Sequence, residues 1–146
     1  MITSSWQYLT DLGKIDVFAF VIMPNHLHSL WRVNEPNGKE SPQGSFMKYT
    51  AHCFQDMLRQ ESKSLLSSYQ VNASNKKYEF WQPDSLAIPI YSRKVALQKL
   101  NYIHNNPLAK HWQLVKHPCD YKYSSARYYE LNEKNFAFLN DLWEVI

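Results

Sequence analysis

Residues 15–23 read Ile, Asp, Val, Phe, Ala, Phe, Val, Ile, Met, a run of β-branched and aromatic side chains with one charge, and predict a strand. Pro24-Asn25 supplies a turn, and residues 26–33 alternate well enough to predict the returning strand of a hairpin. Ahead of the hairpin, Trp6, Leu9 and Leu12 fall at helical spacing within residues 4–12, and Gly13 is a natural helix stop. Residues 34–44, with two Pro and two Gly, predict a loop. Phe46, Tyr49, Ala51, Phe54, Met57 and Leu58 then mark an amphipathic helix running to about Ser62.

The Ser/Asn-rich residues 64–75 predict a flexible connection, followed by short extended pieces at 78–81 and 86–91. Ser92 is an N-cap for a helix over residues 93–106, stopped by Pro107. The stretch through Trp112, Tyr121 and Tyr128 is read as irregular with one or two short helices, and residues 136–146 as a closing amphipathic helix. No repeat or composition break divides the chain, so residues 1–146 are expected to form a single domain. The mixture predicts an α+β fold, an antiparallel sheet with helices packed on one face.

Two features of that pattern carry chemistry. His26 and His28 stand two apart on a strand, so both side chains leave the same face while Leu27 points to the other. On the helix before Pro107, Ala96, Leu97, Leu100 and Ile103 form the core-facing arc at about 100° per residue. Tyr102 and Asn106 instead share a mostly polar stripe with Gln98 and Lys99, so core packing does not explain the tyrosine. Two imidazoles and the Asn106 amide oxygen would give a divalent ion three protein ligands and leave positions open to substrate oxygens. Tyr102 would stand one helical turn away as a nucleophile. A phenol titrates near pH 10, so a metal that withdraws charge from a scissile phosphate is what makes its attack feasible.

Composition sharpens the choice of substrate. Ten Tyr and five Trp in 146 residues exceed the needs of one core, so some rings are expected at a surface where bases can stack. The net charge is only +3, but residues 76–127 carry nine Lys/Arg against three acidic residues, and residues 130–146 carry four acidic residues and only Lys134. A basic middle with an acidic tail suits a polyanion bound by part of the surface. Lys76, Lys77, Arg93, Lys94, Lys99, Lys110 and Lys122 are candidates for a phosphate path, and Trp81, Trp112, Tyr121 and Tyr123 for stacking on bases. Cys53 and Cys119 form no CxxC pair, and no apolar run approaches membrane-spanning length. A reduced cytoplasmic protein with no membrane partner is expected.

Met23-Pro-Asn-His-Leu-His28, Tyr102-Ile-His-Asn-Asn-Pro107 and Asp120-Tyr-Lys-Tyr-Ser-Ser125, in that order, resemble the REP-associated tyrosine transposases, members of the single-tyrosine HUH transposases of bacterial insertion sequences. Ser45-Phe-Met-Lys48 and Phe80-Trp-Gln82 extend the likeness over most of the chain. The resemblance implies a ferredoxin-like antiparallel sheet, metal binding by His26, His28 and Asn106, Mg²⁺ or Mn²⁺ as the ion, and Tyr102 as the nucleophile. It implies cleavage of single-stranded DNA near a hairpin through a 5′-phosphotyrosine, with a second strand's 3′-OH rejoining without ATP. Single-stranded or hairpin DNA is the partner, and a homodimer the expected self-association. Members of the family open with a strand before the first helix; here fourteen residues precede Ile15 and read as that helix, so the first strand is expected to be missing. Its loss would leave unpaired backbone beside the histidine-bearing strand.

Other readings stay open on the residues alone. His26 and His28 could be hydrogen-bonded histidines at a sheet edge, Tyr102 a half-buried helix tyrosine, and Asn106 a helix-ending residue, since a residue before proline is steered from helical geometry. His104 lies on the core side and reads as structural, while Tyr91, Tyr121 and Tyr123 are rival nucleophiles lacking a ligand-type residue at i+4. The alternative function is a non-catalytic, truncated or domesticated protein that binds hairpin DNA.

Overall fold

The computed structural model describes residues 1–83 and 87–146. Its centre is an antiparallel hairpin, β1 (Ile15–Ile22) and β2 (Leu27–Val33), within a mixed α+β arrangement. The helices are α1 (Ile2–Asp11), α2 (Pro42–Glu61), α3 (Lys63–Ser68), α4 (Arg93–Asn105) and α5 (Ala126–Leu131), with single 3₁₀ turns at Asn106–Leu108, Pro118–Asp120 and Leu142–Glu144.

Local chemistry accounts for most boundaries. After α1, Lys14 N–H reaches Leu9 O at 2.9 Å and Gly13 N–H reaches Thr10 O at 2.8 Å, the paired bonds of a left-handed helix stop. Gly13 sits at φ +68°, where a side chain would be strained. The α2 helix begins earlier than its apolar stripe suggests. Ser41 Oγ accepts from Gly44 N–H at 3.0 Å, and Pro42 occupies the first turn, where its missing donor costs nothing. Ser92 caps α4 as expected, its Oγ accepting from Val95 N–H at 3.3 Å.

Two expectations from sequence change. The Ser-rich connection contains α3, because Ser62 caps it and Leu66 gives it a buried anchor. The closing segment is not an amphipathic helix beyond one turn at Leu142–Glu144. It turns at residues 136–138 instead, and then Leu139 bridges parallel to Val17 and Asn140 N–H donates to Val17 O at 2.9 Å. This satisfies an edge carbonyl of β1 that a helix would have left unpaired. The expected extended piece at 86–91 falls partly outside the described residues, and residues 87–91 form no regular element.

Helices cover both faces of the hairpin rather than one. Ile15, Val17 and Phe20 face α1 and α2, joining Trp6, Leu9, Phe46, Phe138 and Leu139. Phe18, Ala19, Val21 and Met23 face α4, joining Ala96, Leu100, Ile103 and Leu142. The register shifts between Val17 and Ala19, and this irregularity puts both Phe18 and Ala19 on the α4 face.

The two strands differ at their outer edges. β1 is buried and flanked a second time, by the bridges of Val17 to Leu139 and Val21 to Ser124. β2 is only half-buried, and its outer edge has no backbone partner among the described residues. Among the described residues no helix is long and apolar enough to cross a membrane.

Candidate metal and nucleophile site

The turn after β1 delivers His26, and the strand register delivers His28. Met23 N–H donates to His26 O at 2.8 Å, closing the Pro24-Asn25 turn so that His26 sits just before β2. His28 pairs with Val21, whose side chain belongs to the α4 face. The two imidazoles lie on one side with ring centroids 5.1 Å apart. Leu27 packs against the opposite cluster, so period-two alternation is what separates ligand from core.

The α4 helix meets this pair from across the sheet. Tyr102 is 55% exposed, and its ring lies 5.1 Å from that of His28. Asn106 is 8% exposed and keeps helical dihedrals (φ −54°, ψ −44°) despite preceding Pro107, its N–H donating to Ile103 O. The chain then tightens into the Asn106–Leu108 turn, which accommodates the proline without moving the asparagine side chain off the stripe.

The closest approach is His26 Nε2 to Asn106 Oδ1, at 3.3 Å. On the other side of the ring, His26 Nδ1 donates to Asn25 Oδ1 at 2.7 Å. With that proton on Nδ1, Nε2 presents a lone pair, and it faces a second lone pair on the amide oxygen. Two such lone pairs facing one another suit a cation between them. The His28 nitrogen is held toward its neutral form, chiefly by burial and then by the positive charges of His26 and Lys99. Neutral imidazole is the form that binds metals.

Among the described residues no three His, Cys, Asp or Glu side chains gather at one point. An ion held here would use His26, His28 and the Asn106 oxygen, a borderline-to-hard set that would suit Mn²⁺ or Mg²⁺ completed by water or phosphate oxygens. The donor set fits such an ion, with Asn25 fixing the tautomer of His26. Asn25 reads in the sequence only as a turn former, although an amide immediately before a ligand-type histidine is a usable signal.

Beneath the site, His104 is 5% exposed, and burial lowers its imidazole to about 4. Its Nε2 lies 2.9 Å from Ser125 Oγ, which in turn accepts from Phe20 N–H at 3.0 Å. This buried link ties α4 to β1 midway between Tyr102 and Asn106, as its core-side position implies.

The other sequence candidates divide. Trp112 lies against the site, its ring 5.7 Å from His26. Tyr123 is half-exposed, with the Lys122 ammonium 5.7 Å from its ring. Tyr121 donates to Ile22 O at 2.9 Å and packs on the α4-side core. Burial raises its phenol, so it serves the fold rather than stacking. Trp81 donates from Nε1 to Thr50 Oγ1 at 2.9 Å and packs on Phe46 and Phe54, on the opposite face of the hairpin. Its ring is engaged in that packing and not offered to a base at the site. Lys76 pairs with Glu79, Lys77 lies 5.6 Å from the Tyr78 ring, and Arg93 lies 5.7 Å from the Trp143 ring. Lys94 and Lys110 are exposed, and Lys99 is half-buried on the Tyr102 stripe. Of the rival nucleophiles, Tyr91 is 91% exposed.

Comparison of the chain with protein-family models, with curated proteins and with solved structures finds no match.

Proposed function

We propose that this chain is a metal-dependent single-strand DNA transposase of the HUH tyrosine type, resembling the REP-associated tyrosine transposases. The observation that carries the reading is the convergence of His26 Nε2 on Asn106 Oδ1 at 3.3 Å, with His28 and Tyr102 adjoining in successive ring contacts of 5.1 Å. In this reading the hairpin belongs to a ferredoxin-like antiparallel sheet, and the outer edge of β2, without a backbone partner among the described residues, is where a further strand would pair. The setting is cytoplasmic, and the substrate is single-stranded DNA carrying a hairpin.

The chain's own groups have distinct tasks. His26, His28 and Asn106 would hold the ion, and the contact of Asn25 with His26 Nδ1 would leave His26 Nε2 to it. A Mg²⁺ or Mn²⁺ held there would supply Lewis-acid withdrawal of charge from the scissile phosphate. Tyr102 Oη forms a bond to phosphorus as the P–O3′ bond breaks, giving a 5′-phosphotyrosine and a free 3′-OH. The phenol proton leaves to solvent at this exposed position, and the departing oxygen takes one up. Bond energy is kept in the ester, so a second strand's 3′-OH can reverse the step.

Incubation of the chain with a hairpin-bearing single-stranded oligonucleotide and Mn²⁺ tests the reading on a denaturing gel. Wild type should yield a covalent DNA adduct, and Tyr102→Phe none. Salt-sensitive DNA binding that survives Tyr102→Phe, with no adduct from wild type, would establish the non-catalytic hairpin-binding alternative instead.

A further inference from the structure

Three Lys and Arg side chains among the described residues are half-buried: Lys14, Lys99 and Arg127. Lys14 pairs with Glu35 at 3.2 Å, and Arg127 pairs with Glu133. Lys99 has no carboxylate partner among the described residues. Every other unpaired Lys or Arg there is exposed, where water serves as partner. The stem of Lys99 is covered by the protein while its charge has no counter-charge within the described residues, so the ammonium is available to an anion from outside the chain.

Lys99 lies one helical turn before Tyr102 on α4, on the same stripe as Tyr102 and Asn106. It is close enough to His28 for its charge to oppose protonation of that ring. The His28 imidazole that its charge reaches, and the Tyr102 phenol and Asn106 amide that share its stripe, carry no negative charge to neutralise an ammonium. With a divalent ion on the histidines the local charge becomes more positive still, so the missing partner is an anion.

We propose that Lys99 anchors the scissile phosphodiester, its ammonium binding a non-bridging phosphate oxygen beside the Tyr102 hydroxyl. This rests on the reading of the site as a DNA-cleaving centre, and it makes Lys99 a substrate-touching residue rather than one of many surface cations. The ammonium neutralises charge that the phosphoryl oxygens carry during transfer and holds phosphorus in line with the attacking phenol.

The test uses the full chain with Lys99→Met, Lys99→Gln and Lys99→Arg. Affinity for a single-stranded oligonucleotide is measured without metal across a salt series. Mn²⁺ affinity is measured without DNA by electron paramagnetic resonance, and the adduct rate at saturating DNA. Both neutral variants should lower the slope of log affinity against log salt by about 0.7, one phosphate contact, while Lys99→Arg keeps it. They should bind Mn²⁺ as tightly as wild type or better, because a like charge beside His28 is gone. Their adduct rate should fall by about 100-fold, the effect of losing one donor to a charged transition state. A merely structural lysine would weaken Mn²⁺ and DNA binding together.

An unchanged salt slope with wild-type adduct rates in both neutral variants overturns the proposal. If wild type forms no adduct but the slope still falls in the neutral variants alone, the cleavage reading fails while Lys99 stands as the phosphate anchor.

Discussion

The two faces of one hairpin are built to different ends. Toward α1 and α2 lie Trp6, Phe20, Phe46 and Phe138, with Trp6 ring centroids 5.1, 5.4 and 5.8 Å from the other three. That face is built chiefly of aromatic and aliphatic side chains. Toward α4 the floor is equally apolar, with Val21, Leu100 and Ile103, but its turn end carries His26, His28, Lys99, Tyr102 and Asn106. Leu27 and His28 are neighbours in sequence and belong to opposite faces. Burial and ring packing on one face supply stability, and this leaves the turn end of the other free to carry polar groups.

If that division is right, damage to each face should show in a different measurement. The largest effect is expected from Trp6→Ala, which empties the aromatic cluster at a position with no exposure. Urea unfolding should show a loss of about 3–5 kcal/mol, with Mn²⁺ affinity of the folded fraction unchanged. Parallel loss of metal affinity would break the comparison.

Acid should act through the buried link between the faces. Burial holds His104 at about 4 against an ordinary 6.5, so the unfolded chain takes up the proton first as pH falls. The stability of the neutral form is present above about pH 6.5 and is lost progressively down to about pH 4. The loss attributable to this group is roughly 3 kcal/mol. Unfolding of wild type and His104→Gln at a series of pH values should show this slope in the first and not in the second.

Asn25→Ala sharpens the comparison at the site itself. Removing the acceptor for His26 Nδ1–H frees the ring tautomer, and Mn²⁺ affinity should fall about 10- to 100-fold. Stability should change by less than about 0.5 kcal/mol, since the bond is exposed. The smallest effect on the fold is expected from Tyr102→Phe, within about 0.5 kcal/mol by urea unfolding, because the hydroxyl lies at an exposed position.

What the sequence made legible follows from periodicity. The hairpin was readable because β-branched and aromatic residues bound a Pro-Asn turn, and the shared side of His26 and His28 because strands alternate every two residues. The polar stripe of Tyr102 and Asn106 followed from helical spacing, and Ser92 marked the start of α4. Long-range pairings were not readable. The irregularity at Phe18 that gives α4 its own face depends on how β1 pairs with β2. The bridged closing segment depends on an edge carbonyl of Val17 more than a hundred residues earlier in the chain. Trp81 looked like a stacking ring because nothing local reveals its hydrogen bond to Thr50. Lys99 stood among seven candidate cations, and only its half-burial without a carboxylate distinguishes it.

The central claim is that the α4 face performs tyrosine chemistry on DNA, and the most direct measurement is where DNA becomes attached. After reaction with a hairpin oligonucleotide and Mn²⁺, nuclease trimming and tryptic digestion should leave the nucleotide mass on the peptide of residues 100–110, whose single tyrosine is Tyr102. Attachment at Tyr91, Tyr121 or Tyr123, or no attachment by the wild-type chain, would contradict the account.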